Sequence, residues 1–407
     1  MNNRYGVLIA GALGHLATTV ITGALALKKG LCSKSGMVTA LDDFSQLDLI
    51  EPGDLIFGGW DIRSASFSEN ARNLLREIGF SAIDQFSGIE DEIETISANI
   101  FPGTTKNCGK AIENLSCHEE STKQTSLKEI ICRLQDDIKR FREKNNLDAL
   151  VVVNLSSTEP PSVCEDKHMS IDSLNRIIED NDNNTIRAST IYAYAAIDAG
   201  CPYINFTPSN GAMLPGLIDL AAEREVPVMG SDGKTGETLV KSALAPMFAC
   251  RNLKVLSWEG YNILGNMDGR ILSHPENKSS KIKSKEHMLS KILGYSPHTT
   301  VSIDYVPSLG DWKTAWDFIH FEGFLNTKMS LQFTWQGCDS ALAAPLVLDL
   351  IRLTFFASQK GEKGLMKHLA CFFKSPIGVE EQNLHEQFRM LKDYVNKHKK
   401  VASEMEE

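Results

Sequence analysis

The sequence predicts an α/β fold in which a doubly wound parallel sheet is interrupted by a second domain built on an open β-sheet. The length of 407 residues suits more than one domain. Short β-rich runs alternate with helical stretches in the first part of the chain, which is typical of a doubly wound domain. From about Val255 the β-rich segments become longer and few helices separate them, which predicts the second sheet.

The first domain begins with a strand, a glycine turn and a helix. An apolar run ends at Gly11, and helical spacing continues from Leu13 to Lys28 before Gly30 ends it. The same segment is apolar enough for a signal peptide or a membrane span, but its glycines and threonines favour the strand-turn-helix interpretation. Further strands are predicted at 36–39, 55–57, 150–153 and 203–206, and helices at 126–144 and 185–199.

The second domain and the last part of the chain differ in pattern. After Ala341 the apolar residues return to helical spacing, and a second such stretch runs from Leu365 to Phe373. This pattern predicts that the chain comes back to the first domain. The strands predicted for the second domain are Val255 to Trp258, Thr300 to Tyr305, Trp316 to Phe324 and Met329 to Trp335.

Charge and cysteine content limit the partners and the compartment. The formal net charge of −10 argues against nucleic-acid binding, because phosphate contacts need clustered Lys and Arg side chains. The nine cysteines include no C-x-x-C pair, and an odd number fits reduced thiols better than a disulfide framework. We therefore predict a cytoplasmic protein that binds neither nucleic acid nor membrane.

Three loops at predicted strand ends have the composition of ligand-binding loops. The first follows the strand that ends near Ala10, and a glycine turn that opens a helix can bind a pyrophosphate, although a tight structural turn fits equally well. Asp61 could accept hydrogen bonds from an adenosine ribose, or it is an ordinary turn residue. The third loop, which follows Val153, is either ligand-facing or a plain Ser/Thr turn. The residues assigned to a cofactor on these grounds are Gly11, Ala12, Leu13, Gly14, His15 and Leu16, then Asp61 and Ile62, then Asn154, Ser156, Ser157 and Thr158.

Nine sequence runs, which span nearly the whole chain, match one family in the family's order. The chain resembles the myo-inositol-1-phosphate synthases, most closely the compact archaeal and bacterial-type members. The resemblance implies a Rossmann-like NAD-binding domain (1–239 and 341–407) interrupted by a catalytic and tetramerisation domain (240–340), with glucose 6-phosphate as substrate and a homotetramer as the assembly. The runs are GGWDIR at Gly58, NLSSTEP at Asn154, YINFTPS at Tyr203, SDGKTGETLVK at Ser231, SWEGYNILGNMDG at Ser257, ENKSSKIKSK at Glu276, LGDWKTAWDF at Leu309, CDSALAAPL at Cys338 and FFKSP at Phe372.

The resemblance also implies the site residues. Asp339 and Ser340 join the cofactor set. A helix-opening loop is expected to bind the substrate phosphate, with charge added by Lys234 or Lys241; Glu237 is unexpected there unless only its backbone N–H is used. The substrate set is Thr235, Gly236, Glu237, Thr238, Asn262, Leu264 and Asn266, and the catalytic set is Lys281, Lys285, Lys313, Lys374, Asp232 and Asp268.

The implied reaction explains why lysines are needed. NAD oxidises C5 of the sugar, C6 is enolised and attacks C1, and the ring product is reduced again, so each step builds or discharges an oxyanion. We assign Lys281 to proton transfer at the C5 oxygen, and Lys313 with Lys374 to C1 and ring closure. Lys285 is assigned to the phosphate or C5. Asp232 and Asp268 would orient the lysines and the nicotinamide, or hold a cation.

Three alternatives remain open at the level of sequence. A divalent metal, bound by oxygen ligands, could stabilise the enolate in place of ammonium groups. The chain could be an NAD-dependent sugar-phosphate dehydrogenase that releases NADH, or a non-catalytic NAD-binding homologue. Taken by itself, the lysine run at 278–285 is more typical of a solvated basic surface.

Overall fold

The computed structural model describes residues 3–117, 125–162, 168–182, 184–272 and 288–399. Two of the predicted catalytic lysines, Lys281 and Lys285, lie outside these ranges. The strands are β1 (Tyr5–Ala10), β2 (Leu55–Asp61), β3 (Ile100–Pro102), β4 (Ala149–Asn154), β5 (Tyr203–Asn205), β6 (Pro227–Gly230), β7 (Lys254–Leu264), β8 (His298–Tyr305), β9 (Trp312–Glu322), β10 (Lys328–Cys338) and β11 (Gly364–Leu365).

The helices follow the amphipathic segments of the sequence. In several of them the ends are set by local chemistry: Ser126 and Glu129 form a reciprocal capping box, and Asn146 ends the same helix in the left-handed conformation. The helices are α1 (His15–Lys28), α2 (Phe67–Glu77), α3 (Glu90–Ser97), α4 (Lys110–Glu113), α5 (Leu127–Asn145), α6 (Ile171–Glu179), α7 (Ala188–Asp198), α8 (Pro215–Glu223), α9 (Gly236–Cys250), α10 (Met267–Leu272), α11 (288–293), α12 (Asp339–Gln359) and α13 (Leu384–His398).

The first sheet has seven parallel strands in the order β11-β6-β5-β4-β1-β2-β3. Strand β1 lies between β2 and β4. The strand order runs outward from β1 on both sides, and this reversal leaves a crevice at the carboxyl ends of the strands. The edge strand β11 comes after the second domain and pairs with β6, so the chain does return to the first sheet. The predicted doubly wound fold, interrupted by an open sheet, is confirmed.

The apolar segment near the N-terminus is part of this sheet. Residues 6–27 form most of β1, the glycine turn and nearly all of α1, whose residues are largely buried. Helix α12 is the one described helix that is long and apolar enough to cross a membrane, and 78% of its most apolar window is buried in the protein. It packs against α1, β4 and β6 as a core helix.

The second sheet is mixed and has the order β10-β9-β7-β8. Its inner face packs against α9 and α11 through Phe248, Trp258, Met288 and Ile319. Its other face carries exposed aromatic side chains, Tyr261 on β7 and Trp316 on β9. The strands are longer than the predicted segments, because the β9–β10 hairpin continues in register from Trp312 to Cys338.

Two local predictions are wrong. Residues 36–39 are not a strand: the N–H groups of Val38 and Thr39 donate to the buried carboxylate of Asp349 on α12, at 2.6 and 3.1 Å, and this contact holds the chain in a 3-10 turn. The predicted helix from Leu365 to Phe373 is instead the end of β11 followed by a 3-10 helix. In both cases tertiary contacts overrode a local pattern.

Candidate active site

A cleft runs along the carboxyl ends of β1, β2 and β4, where the strand order reverses. It encloses about 1460 Å³ of space, its open mouth included. The predicted cofactor loops converge on it, since its lining includes Gly11, Gly14, His15, Leu16, Asp61, Ile62, Ser156, Ser157, Thr158, Asp339 and Ser340.

The glycine turn brings the start of α1 to the cleft floor. Gly11 has a φ of +85°, and a Cβ there would approach the Leu155 carbonyl oxygen to 3.0 Å, so only glycine fits without strain. Gly14 caps α1 without any side-chain hydrogen bond, so within the described residues no side chain caps the N–H groups of the first helical turn. Such N–H groups and the positive helix end suit an anionic pyrophosphate, so this turn fits NAD.

Asp61 ends β2 and is almost fully buried. Its carboxylate accepts from the Leu13 N–H at 2.8 Å and from the Arg63 backbone N–H at 2.9 Å, and Arg63 Nε donates to it at 3.1 Å. Asp61 therefore holds the glycine turn in shape and has its charge balanced by Arg63. An apolar wall of Ile62, Cys108, Ile112 and Leu115 continues the cleft beside it.

Three predicted cofactor residues do not line the cleft. Ala12 is fully buried, and Leu13 has its N–H bonded to Asp61. Asn154 is also fully buried, and its Oδ1 accepts from the Ser156 N–H and hydroxyl at 3.1 and 2.7 Å. These residues support the two loops from inside the protein, and their neighbours in the loops line the cleft.

Glu159 is a buried carboxyl in the cleft wall that sequence reasoning did not single out, although the matching run at Asn154 contains it. Only 3% of it is exposed, and it accepts hydrogen bonds from the Ser189 hydroxyl and, at 2.9 Å, from the Ser189 N–H in the first turn of α7. Burial raises the pKa of Glu159 to about 7 despite these bonds.

This raised pKa predicts how stability depends on pH. Between pH 4.5 and 7 the folded protein retains a proton that the unfolded chain releases, so Glu159 makes the fold more stable as pH falls through this window. We expect Glu159→Gln to remove up to about 3 kcal/mol of pH dependence from the free energy of unfolding between pH 5 and 8. Urea unfolding at several pH values measures it. The exposed Glu143→Gln should change nothing, and equal slopes for wild type and Glu159→Gln would contradict the prediction.

Two chain segments, 230–234 and 372–377, pair as a short ladder beside the cleft. The Lys374 N–H donates to the Asp232 carbonyl oxygen, and Ser231 and Ser375 exchange N–H···O bonds of 2.9 and 3.1 Å. This ladder places Lys374 Nζ at 2.9 Å from Asp232 Oδ1. Both side chains are nearly buried and line the cleft, so Asp232 contacts one of the predicted catalytic lysines.

A small pocket adjoins the cleft and shares Thr235 and Lys374 with it. Lys313 reaches it from the start of β9, and a Cβ at Gly236 would lie 3.7 Å from Lys313 Nζ. Helix α9 begins here without a side-chain cap on Thr235. The pocket collects residues of the predicted substrate and catalytic sets: Thr235, Glu237, Thr238, Asn262, Leu264, Lys313 and Lys374.

Lys234 and Lys241 do not point into this pocket, so the prediction that they add charge to a phosphate is wrong. Lys234 Nζ donates to the Gln387 side chain inside the core, and burial lowers its pKa to about 8. Lys241 pairs with Glu237 and lies 3.6 Å from Asp317. The Glu237 carboxylate is thus balanced by a buried ammonium, which accounts for an acid at this position.

Asn266 and Asp268 lie in the cofactor cleft rather than in the small pocket. Asn266 Oδ1 accepts from the Gly269 N–H at 3.1 Å, and the Thr158 hydroxyl donates to Asp268 at 3.4 Å. In the described ranges no three His, Cys, Asp or Glu side chains are placed together to hold a metal.

Asp311 is a buried carboxylate beside the cleft that sequence reasoning did not single out. Its fully buried carboxylate accepts from the Ser340 N–H and hydroxyl at 3.0 and 2.9 Å, from Cys338 Sγ at 3.0 Å and from His15 Nδ1 at 3.3 Å. Burial alone would raise the pKa of Asp311. The hydrogen bonds from His15, Cys338 and Ser340 together lower the pKa by more than burial raises it, so the net shift is downward. Asp311 joins the start of α1 to the start of α12, two residues before Lys313.

Comparisons with known proteins agree with this geometry. The NAD-binding family model described as myo-inositol-1-phosphate synthase matches residues 5–396. Inositol-3-phosphate synthase 1 of Bacteroides thetaiotaomicron is 33% identical, with 96% of this chain and 94% of the relative covered. The Dictyostelium discoideum inositol-3-phosphate synthase is 29% identical over 88% of this chain and 75% of its own.

Solved structures show the same fold over nearly the whole chain. The inositol-3-phosphate synthase of Caenorhabditis elegans superposes with a TM-score of 0.86 at 25% identity, covering 97% of this chain and 86% of that one. A myo-inositol-1-phosphate synthase-related protein of Thermotoga maritima gives 0.80 at 25% identity, with 97% and 99% covered. The chain belongs to the myo-inositol-1-phosphate synthase family.

Proposed function

We propose that this protein is an NAD-dependent inositol-3-phosphate synthase that converts D-glucose 6-phosphate to 1D-myo-inositol 3-phosphate. Membership of the family and relatives of that name support the reaction. The observation that carries the proposal is the convergence of Lys313 and Lys374 on one pocket that adjoins the dinucleotide cleft. A simple dehydrogenase forms no enolate and closes no ring, so it lacks the oxyanions that this pair of ammonium groups would stabilise.

Different groups of the pocket would bind the phosphate and stabilise the oxyanions of the reaction. The uncapped start of α9 and the hydroxyls of Thr235 and Thr238 would bind the phosphate. When bound, NAD supplies the acceptor for the C5 hydride and returns it at the end of the reaction. Lys374 and Lys313 would stabilise the oxyanions that develop at the sugar, because an ammonium group acts strongly in a site that excludes water. Asp232 would orient Lys374.

The remaining assignments rest on the resemblance. Lys281 for proton transfer at the C5 oxygen and Lys285 for the phosphate or C5 stay predictions, since both lie outside the described residues. Asp232 and Asp268 supply carboxylate oxygens at the cleft, which suit a hard cation if the enolate is stabilised by a metal. The free cysteines of the described ranges fit the proposed cytoplasmic location.

The test is product formation. Purified protein with NAD and glucose 6-phosphate should form an inositol phosphate with no net production of NADH, measured by phosphorus NMR and absorbance at the same time. Running the assay with and without a chelator separates a metal from ammonium groups as the enolate stabiliser. Stoichiometric NADH release without inositol phosphate would favour the dehydrogenase.

We also propose a homotetramer that forms through the outer face of the second sheet. Trp316, Phe318 and His320 stack along β9 with ring centroids 6.3 Å apart, and Trp316 and Tyr261 are 41% and 46% exposed. A continuous aromatic row on an uncovered sheet face is typical of an interface between subunits.

Placing a charge in this row should therefore dissociate the assembly. We expect Trp316→Glu to reduce the mass measured by light scattering from that of four chains to that of one or two. Met247→Glu is the control, since Met247 is an equally exposed apolar residue, but on helix α9, which covers the inner face of the sheet. A tetramer that survives Trp316→Glu would contradict the proposed interface.

A further inference from the structure

The side-chain amide of Asn262 on β7 lies between two groups that can only accept hydrogen bonds. Its Nδ2 donates to the Glu237 carboxylate at 2.6 Å and faces the Ser302 carbonyl oxygen at 3.4 Å. A carbonyl oxygen or a carboxylate oxygen cannot donate, so the amide atom between them has to be the nitrogen. The neighbours of Asn262 therefore impose the orientation of its amide.

This orientation turns Asn262 Oδ1 away from Glu237. Asn262 is 1% exposed and lines the small pocket, and its Oδ1 is buried with no hydrogen-bond partner in the described part of the chain. A buried acceptor of this kind is unfavourable unless a bound molecule donates to it. An ionised phosphate oxygen has no hydrogen to donate, whereas a sugar hydroxyl has one.

We propose that Asn262 recognises a hydroxyl group of the sugar rather than its phosphate, and that Glu237 is the positioning residue that imposes this choice. The proposal rests on the proposed function and deepens it, because it assigns the hydrogen bond that Asn262 makes to the substrate. The phosphate would bind at the uncapped backbone start of α9 near Lys313, and the hydroxyl would bind beside it at Asn262, which contacts the Glu237 side chain of the same helical turn.

A carboxylate serves this purpose better than an amide would. Glu237 is held as an acceptor because Lys241 pairs with its other oxygen, and both side chains are buried. The carboxylate also packs closely against Gly260, where an added Cβ would overlap its Oε1. A glutamine at position 237 could donate or accept, and Asn262 would then be free to reverse its amide.

The first experiment needs no variant. Inhibition of the wild-type holoenzyme is measured with inorganic phosphate and with the 2-, 3- and 4-deoxy analogues of glucose 6-phosphate. We expect one analogue to bind at least about 10-fold more weakly than the others, the scale of one buried acceptor left without a donor. Equal inhibition by all three analogues would overturn the assignment of Asn262.

The second experiment compares variants. Asn262→Ala should abolish the discrimination among the deoxy analogues and leave inhibition by inorganic phosphate unchanged. Glu237→Gln should reduce the discrimination while leaving inhibition by inorganic phosphate unchanged. If Asn262→Ala weakens inhibition by inorganic phosphate as much as it raises KM for glucose 6-phosphate, then Asn262 binds the phosphate and the proposal is wrong. Full discrimination in Glu237→Gln would overturn the role given to Glu237.

The two levels of proposal fail in different ways. A wild-type holoenzyme that forms no inositol phosphate would contradict the proposed function. Normal turnover without discrimination among the analogues would contradict only the roles assigned to Asn262 and Glu237.

Discussion

Replacing Lys374 by methionine is expected to reduce kcat by about 10²–10⁴-fold, the range for loss of a positioned group that transfers a proton or stabilises an oxyanion. Methionine keeps the length and apolar contacts of the side chain but removes its ammonium group. NAD binding should remain, because the glycine turn and the first turn of α1 do not depend on Lys374. The measurements are steady-state rates with glucose 6-phosphate and NAD titration by fluorescence.

The matched control is Lys367→Met, an exposed lysine on the same returning segment. Its kcat should equal that of the wild type, which would show that loss of a positive charge alone is harmless. Lys374→Met also leaves Asp232 as a buried carboxylate without its ion pair, so the unfolding midpoint has to be measured in parallel. A Lys374→Met protein with near-normal kcat would remove Lys374 from the mechanism.

Asp311→Asn is expected to lower the free energy of unfolding by about 2–4 kcal/mol and to weaken NAD binding at least 10-fold. An amide nitrogen at the Oδ2 position would face the Ser340 N–H, and one at the Oδ1 position would require the Ser340 hydroxyl to change from donor to acceptor. In either orientation the cost arises because hydrogen bonds to a buried, ionised carboxylate are replaced by weaker or missing bonds to a neutral amide. Affinity would fall because Asp311 also contacts His15 at the start of α1.

Urea unfolding and calorimetric titration of NAD measure the two effects. Asp48→Asn is a suitable control, because Asp48 is exposed and lies away from the cleft lining. If Asp311→Asn loses stability but binds NAD normally, then Asp311 is a structural residue only. Loss of NAD affinity at unchanged stability would instead indicate direct contact with the cofactor.

Local patterns were sufficient for the parts of the fold that are formed by neighbours in sequence. The strand, turn and helix at the N-terminus were predicted because hydrophobic spacing and Gly30 are local signals. Residues 36–39 were misread because their conformation depends on Asp349, more than 300 positions later. The local secondary-structure propensity of residues 36–39 contains no information about such a distant contact.

The site residues also divide into those that local sequence predicts and those that depend on distant contacts. Glycine-turn composition predicted the dinucleotide crevice, but nothing local distinguishes Lys374 from a surface lysine, and only the family resemblance identified it. Asp311 lies inside a matched run and was still missed, since its importance lies in its partners His15 and Ser340. The orientation of Asn262 likewise requires knowledge of which atoms flank it.

The ladder between segments 230–234 and 372–377 also affects the order in which the protein can become active. Asp232 and Lys374 are 142 positions apart, with the whole inserted domain between them. A growing polypeptide that has passed β6 already contains every strand of the first sheet except the edge strand β11, yet it lacks Lys374, the ammonium group proposed to stabilise ring closure. Synthesis from the N-terminus therefore adds this proposed ring-closing side chain only after nearly all of the dinucleotide-binding sheet is complete.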